Sequence, residues 1–351
     1  MEGDENMPVT KTTVSRNDDV YECFPDIVRT TSGKLIVIYR ESDSHGASDY
    51  SHLIMRHSGD EGRSWSERFV LIESYKEDGV LFKYNCPRIS QLRDGRLLAL
   101  CDGYPVPPGE RFDRSTSHTF FWYSEDDGQT WSQPVKTPIT GIVPDKLLET
   151  RDGTWLVAVH VGAPGEQYLH QRVFRSTDQG DSWEGPITVA HQEGLNPCEA
   201  SLIQLPDGRL VAYMRENSGQ GWPGQKSLSA DDGQTWDGPY PTHIPACHRP
   251  VAGYLPSGRI MVTFRYEMPG IERNRANFLA YSETVASAGE ADLEKQGGQL
   301  LALDHDRHEK ADGGYSGWCV LSDDSVFVVN YIKDDAEMAQ IRGYSLREED
   351  F

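Results

Sequence analysis

A chain of 351 residues with 34 Lys and Arg against 55 Asp and Glu carries a formal charge of −21, which excludes nucleic acid and anionic membranes as partners, since both need a basic surface. No apolar run approaches the roughly 18 residues of a membrane span, so the expectation is a globular chain with no membrane partner. An anionic small molecule is not excluded, because distant charge is screened beyond about 8 Å and a local arginine cluster can outweigh it.

The opening MEGDENMPVT is acidic and polar and lacks the basic and apolar regions of a secretory signal, so a cytoplasmic chain is expected. From Phe24 a unit recurs: an apolar strand, a turn ending in Gly, and a second apolar strand. The copies are FPDIVRTTSGKLIVIYRE, CPRISQLRDGRLLALCDG from Cys86, VPDKLLETRDGTWLVAVH from Val143, CEASLIQLPDGRLVAYMREN from Cys198, HRPVAGYLPSGRIMVTFRYE from His248, and YSGWCVLSDDSVFVVNYIKD from Tyr315, where Asp324 replaces the turn glycine. A second motif, S-x-D-x-G-x-[ST]-W, follows four of them at Ser58–Trp65, Ser124–Trp131, Ser176–Trp183 and Ser229–Trp236. It reads as a tight turn in which Asp accepts backbone hydrogen bonds, Gly supplies a left-handed conformation and Trp folds back as a lid. SETVASAG from Ser282 reads as a decayed fifth copy.

A spacing of about 50 to 65 residues matches a four-stranded propeller blade. The fold expected is all-β: one six-bladed β-propeller domain over residues 1–351, with the N-terminal segment 1–18 lending a strand to the last blade. Closing the ring in that way removes two exposed sheet edges.

Cys23, Cys86, Cys198 and Cys247 stand near the starts of inner strands and Cys101 and Cys319 inside apolar strands. No pair has the spacing of a zinc site or redox motif, so free buried thiols in a reducing compartment are expected. His305 and His308 lack a third ligand at useful spacing, and no loop has the oxygen-ligand spacing of a calcium site. No metal and no cofactor are expected.

In a propeller, the loops entering and leaving the inner strands form a concave mouth. Asp26, Arg88, Asp145, Glu199, Arg249 and Tyr315 stand at these strand starts, and Arg40 and Arg215 end the strands that follow. Such a ring either satisfies itself around a wet channel or binds a ligand.

Repeats, turns and polar positions together resemble the sialidase (neuraminidase) superfamily of exo-glycosidases over nearly the whole chain. GLNPCEASLIQLPDGRLVAYMREN is similar to the family segment carrying a buried glutamate and a substrate-binding arginine, which implies Glu199 and Arg215. NRANFLAYS resembles the segment with the next carboxylate-binding arginine, Arg275, with Arg273 beside it. GGYSGWCVLSDDS matches the segment of the nucleophilic tyrosine, Tyr315. RESDSHGASDYSHLIMRHS corresponds to the loop of the acid/base aspartate, implying Asp43 with Asp49 as the rival; His45, Trp222 and Trp318 are either pocket lining or packing.

The set is chemically coherent. A sialic acid ketoside carries a carboxylate beside its anomeric carbon and repels an anionic nucleophile. A tyrosine approaches neutral and loses its proton to Glu199 as it attacks, while Asp43 protonates the leaving oxygen and later activates water. The resemblance therefore implies a retaining exo-glycosidase whose partner is a carbohydrate ending in an acidic sugar. One position departs from it: in Tyr21-Glu22-Cys23-Phe24-Pro25-Asp26, cysteine stands where the family carries its first arginine. Arg88, Arg40 or Arg249 could supply the missing charge. Alternatively the sugar differs, with Glu22 and Asp26 binding hydroxyls, or the propeller binds carbohydrate without catalysis; convergence of Asp43, Glu199, Arg215, Arg275 and Tyr315 in space separates these readings.

Overall fold

A computed structural model describes residues 9–108, 116–162, 167–267 and 276–351. Six antiparallel sheets account for the strands described. The first blade runs Tyr21–Arg29, Leu35–Ser42, Ser51–Ser58 and Phe69–Ile72 in spatial order, and the third to fifth repeat that meander. The sixth holds Gly313–Val320, Val326–Ile332 and Gln340–Leu346, and its outer strand is Thr10–Ser15 from the N-terminal side, paired antiparallel with Gln340–Leu346. The ring is thus closed by the expected loan of a strand.

The second blade is larger than the repeat implies. Its long strand Leu97–Val106 pairs at its start with the inner strand Arg88–Gln91 and at its end with Val80–Tyr84, one arm of the hairpin Tyr75–Glu77 and Val80–Tyr84. In the fifth blade the decayed turn motif has become a short helix, Val285–Ala288, capped by Thr284. All six cysteines are free thiols, five buried and Cys319 half-buried. No described helix is long and apolar enough to cross a membrane.

The apolar core lies between neighbouring blades. Ile36, Ile38, Leu53 and Met55 of the first pack against Ile89, Leu97, Ala99 and Trp122 of the second, each such side chain contributing about 1.5 to 3 kcal/mol when fully buried. The turn motifs seal these seams from outside. In the first, Asp60 accepts from Ser58 Oγ at 2.8 Å, Ser64 N at 2.9 Å and Ser64 Oγ at 2.6 Å, while Ser58 Oγ takes the Gly62 N–H at 2.9 Å. The other three copies repeat these bonds around Asp126, Asp178 and Asp231. Gly62 has φ +85, and a Cβ there would lie 2.7 Å from the Phe327 ring of the sixth blade. Only a residue without a side chain lets the turn touch its neighbour.

A further repeat sets the inner rim. Phe24, Val143, Glu199, Arg249 and Tyr315, each at the same place in its blade, have φ of 57, 53, 51, 49 and 50°. In the first, fourth, fifth and sixth blades the strand register also slips there, between Cys23 and Asp26, Cys198 and Ser201, His248 and Val251, and Gly314 and Gly317. A left-handed residue inside a bulge re-aims one side chain out of the strand alternation, and these side chains gather at the axis.

Gly62→Ala is expected to lower stability by about 2 to 4 kcal/mol, from left-handed strain plus overpacking against Phe327. Gly153→Ala, at φ +91 with open space around it, is expected to lose only about 1 kcal/mol. Urea denaturation of the two variants reads the difference.

Candidate active site

Two concentric rings surround the axis below the mouth. The inner one consists of the rim residues Phe24, Val143, Glu199, Arg249 and Tyr315, with Cys86 at the equivalent sequence position of the second blade. The outer one comes from the second strands, where Arg40, Arg215, Arg265 and Tyr331 pair with Cys23, Cys198, His248 and Gly314. His160 occupies that place in the third blade, opposite Ile142.

Glu199 and Tyr315, 116 residues apart, meet across the axis: the phenol donates to Glu199 Oε1. Arg215 Nη1 donates to the same oxygen at 3.1 Å and lies 3.5 Å from the phenol oxygen, while its Nη2 is held by Asn217 Oδ1 at 2.6 Å. Arg265 closes the other side, its guanidinium carbon 5.4 Å from the Tyr315 ring centre in a cation–π contact. Its Nη1 donates to the Gly313 carbonyl at 3.1 Å. Gly314, at φ +99, leaves no Cβ to strike the Arg265 stem, which would lie 2.6 Å away.

The electrostatics follow from this packing. Burial alone would raise the Glu199 carboxyl, but Arg215, His160 and the Tyr315 hydrogen bond outweigh it and hold the group well below the usual carboxylate range. Burial pushes the Tyr315 phenol well up, and the Glu199 charge adds to the rise against Arg215 and Arg265. Resting Tyr315 is therefore neutral beside an ionised acceptor. Burial, Arg215 and Arg265 push the His248 imidazole down to about 2; it is neutral, and its Nδ1 accepts from Arg265 Nη2 at 3.2 Å.

Glu199, Arg215 and Tyr315 are thus brought together, whereas the other positions singled out in the sequence are distributed differently. Arg249 is fully buried beneath the cluster, 5.9 Å from the Tyr315 ring centre, and donates to the Pro144 carbonyl at 2.6 Å. Arg88 donates to the Ser316 carbonyl at 2.8 Å and approaches Asp26 at 3.7 Å. Asp26 is fully buried, taking the Ile89 N–H at 2.9 Å and Lys146 at 3.0 Å, and Asp145 takes the Leu202 N–H at 2.7 Å. These four tie blade to blade and do not open onto the mouth. Glu22 does not either: it is buried and accepts from Ser15 Oγ at 2.6 Å.

Arg40 also turns inward. Its guanidinium covers Phe24 at 4.4 Å and donates to Asn85 Oδ1 at 3.0 Å and the His45 carbonyl at 2.6 Å. Cys23, fully buried beside it, has its thiol pushed up to about 12 by burial. Asp43 is half-buried and staples its own loop, taking the Asp49 N–H at 2.9 Å and Ser44 Oγ at 3.0 Å; burial raises its carboxyl but these bonds outweigh it, so the net shift is downward. Asp49 points outward to Lys76. Arg273 and Arg275 lie outside the described residues. Trp318 packs in the core and donates to the Val251 carbonyl at 3.0 Å, while Trp222 is 52% exposed and lines a cavity of about 260 Å³ with Arg215, Asn217, His248 and Glu267.

Two residues escaped the sequence reading. Arg265 was visible in principle, because FRYE repeats the YRES and MREN strand ends of Arg40 and Arg215. Asp312 had no repeat to betray it: it lies in a loop and accepts from Tyr21, from Tyr331 at 2.9 Å and from His45 Nδ1 at 2.7 Å. Among the described residues, no group of three or more His, Cys, Asp or Glu is arranged to hold a metal ion.

The model of the BNR repeat-like domain family matches residues 33–275. A sialidase of Clostridium perfringens is 24% identical over 235 residues, 58% of this chain and 59% of that protein, so the chain spans about three fifths of the length of this relative. Among solved structures, a protein of unknown function from Dyadobacter fermentans superposes with a TM-score of 0.78 at 20% identity, covering 97% of this chain and 99% of that one. The intramolecular trans-sialidase of Ruminococcus gnavus, in complex with oseltamivir carboxylate, gives 0.68 at 13% identity, over 94% and 95%. At such identities the structural likeness is one of fold.

Glu199→Gln is expected to leave Arg215 buried without its counter-charge and to lower stability by about 3 kcal/mol. It also removes the charge that raises Tyr315, so tyrosinate should form at lower pH than in the parent. Ultraviolet titration against the double variant with Tyr315→Phe isolates that phenol.

Proposed function

The chain belongs to the BNR repeat-like domain family as a divergent member of the sialidase superfamily, and from that premise we propose that it is an exo-acting glycoside hydrolase that releases a terminal sialic acid or related acidic sugar. The observation that carries this reading is the Tyr315 phenol hydrogen-bonded to an ionised Glu199, with Arg215 on both.

The reaction is a retaining double displacement. The phenol approaches the anomeric carbon neutral, so the substrate carboxylate does not repel it. As the bond forms, the proton passes to Glu199, and an oxygen whose ordinary pKa near 10 makes it a poor nucleophile becomes competent without free phenolate in the resting state. Arg215 and Arg265 flank the tyrosine and present guanidiniums to the substrate carboxylate, and Arg275 is proposed as the third member of that clamp. A group on the Asp43–Tyr50 loop donates the leaving-group proton and then activates water. Binding falls to this local cluster because the overall charge of −21 is screened over the distances involved.

A second reading keeps the mechanism and changes the sugar. What favours it is Cys23, a buried thiol where the resemblance calls for an arginine, with Arg40 committed to Asn85 and the His45 carbonyl. Loss of one charge-assisted pair weakens binding by about 1.5 to 3 kcal/mol.

With an aryl α-sialoside as substrate, Tyr315→Phe is expected to lower kcat/KM by about 10³-fold or more. Arg265→Ala is expected to raise KM by about 10 to 100-fold, the equivalent of one lost carboxylate contact. Turnover of aryl glycosides of neutral sugars, with none of the sialoside, would select the second reading. Turnover of neither would leave a carbohydrate-binding propeller.

A further inference from the structure

Across the Phe24 ring from the tyrosine stands an imidazole and carboxylate pair to which the reaction above gives no task. His45 Nδ1 lies 2.7 Å from Asp312 Oδ2. Asp312 is fixed from several sides: Tyr21 and Tyr331 donate to it, and its own N–H is held at 3.1 Å by Asp306, whose carboxylate also collects the N–H groups of His308, Lys333 and Asp334. Burial would raise the Asp312 carboxyl, but the bonds from His45 and Tyr21 and the Arg265 charge outweigh it and bring it down to about 2. The carboxylate is thus ionised and accepts, which makes Nδ1 the donor and fixes the tautomer of the ring.

The imidazole is packed as well as anchored. Its ring meets Phe24 edge-on at 5.4 Å between centres, and Phe24 lies 5.0 Å from the Tyr315 ring. Arg40 holds the His45 carbonyl at 2.6 Å and Lys83 the Gly46 carbonyl at 2.8 Å, so the backbone of the loop is pinned at His45 and at the residue after it. The side chain is 55% exposed, and no described residue hydrogen-bonds its Nε2. Asp43, by contrast, uses both carboxylate oxygens to close its own loop; a carboxyl stabilised as the anion holds no proton to donate near neutral pH.

Resting on the glycosidase reading, we propose that His45, oriented by Asp312, is the acid/base of the reaction in place of Asp43. In the first half, Nε2–H passes its proton to the glycosidic oxygen as the bond to the anomeric carbon breaks. The electron pair leaves with that oxygen, Tyr315 Oη bonds to carbon, and its proton goes to Glu199. In the second half, neutral Nε2 takes a proton from water, the water oxygen bonds to carbon, the tyrosyl bond breaks, and Glu199 returns the proton to the phenolate. Both protons and both electron pairs are restored, and no other reactant enters. Asp312 is a positioning residue that stabilises the imidazolium.

The test compares a poor leaving group with a good one: sialyllactose and para-nitrophenyl α-sialoside, with wild type, His45→Ala, His45→Gln and Asp43→Asn. Loss of the acid is expected to lower kcat/KM on sialyllactose by about 10²-fold or more in both His45 variants and on the nitrophenyl substrate by less than about 10-fold. Added azide should raise nitrophenyl turnover by the His45→Ala protein and yield the glycosyl azide, since the covalent intermediate then waits for a base. His45 is half-exposed, so its truncation opens no core cavity, and a melting temperature equal to wild type confirms the fold. Leaving-group dependence in Asp43→Asn, with both His45 variants losing activity equally on the two substrates or on neither, overturns the assignment and returns the role to Asp43. Absence of turnover of either substrate by wild type removes the glycosidase reading for these sugars, and the dyad's role with it.

Discussion

The constraint on which the mouth depends is backbone strain repeated around a ring. Five non-glycine residues on the inner strands hold left-handed φ values, a conformation that costs an L-residue on the order of 1 to 2 kcal/mol. The cost is tolerated because each is clamped on both sides, by strand pairing within its blade and by the neighbouring blades across the seam. What the strain secures is direction. A regular strand would send alternate side chains into the two inter-blade seams, and none would point along the axis. The bulge releases one residue per blade from that alternation, and Glu199 and Tyr315 meet only because two such residues from the fourth and sixth blades are released toward the same point.

Polar groups then sort into two populations by whether the blades consume them. Asp26 and Asp145 spend their hydrogen-bonding capacity on backbone N–H groups of the next blade, and Arg88 and Arg249 on backbone carbonyls two blades away around the ring, where an unpaired ion would be expensive. Glu199, Arg215 and Tyr315 instead pair with one another, and Arg265, tied to the Gly313 carbonyl, His248 and Glu267, lies against the Tyr315 ring. Residue type alone does not separate these populations, since both contain acids and arginines. The strongly negative chain thereby concentrates two guanidiniums at its centre, Arg215 paired with Glu199 and Arg265 with Glu267, on either side of a neutral phenol, with the His248 imidazole held uncharged.

The departure at Cys23 has a structural counterpart. With no guanidinium at that strand position, Arg40 on the paired strand occupies the space, tied to Asn85 and to the loop of His45. Its charge supports the loop from below and does not face the opening. The same loop is the one whose imidazole reaches Asp312, so Arg40 holds the backbone of the segment from which His45 extends.

The repeats were legible in the sequence because they encode local physics: a turn that needs Gly or Asp at a positive φ, a serine and an aspartate that bind each other's backbone, and strands of fixed length between them. That was enough for six blades and for closure by the N-terminal strand, while Glu199, Arg215 and Tyr315 were marked by resemblance to family segments, and packing brings those three side chains into contact. Arg265 was in reach of the same argument, as the strand-end arginine one blade further on. What the repeats left open was which polar residue faces the mouth and which a neighbouring blade consumes. Arg88, Arg249 and Asp26 looked equivalent to Glu199, Arg215 and Tyr315 until packing gave them partners in other blades, and Asp312 carried no mark at all. Its environment is made by Tyr21, His45 and Tyr331, brought together from the two ends of the chain by ring closure. Local hydrogen bonding writes itself into the order of residues; partnership across the axis is decided only when the ring shuts.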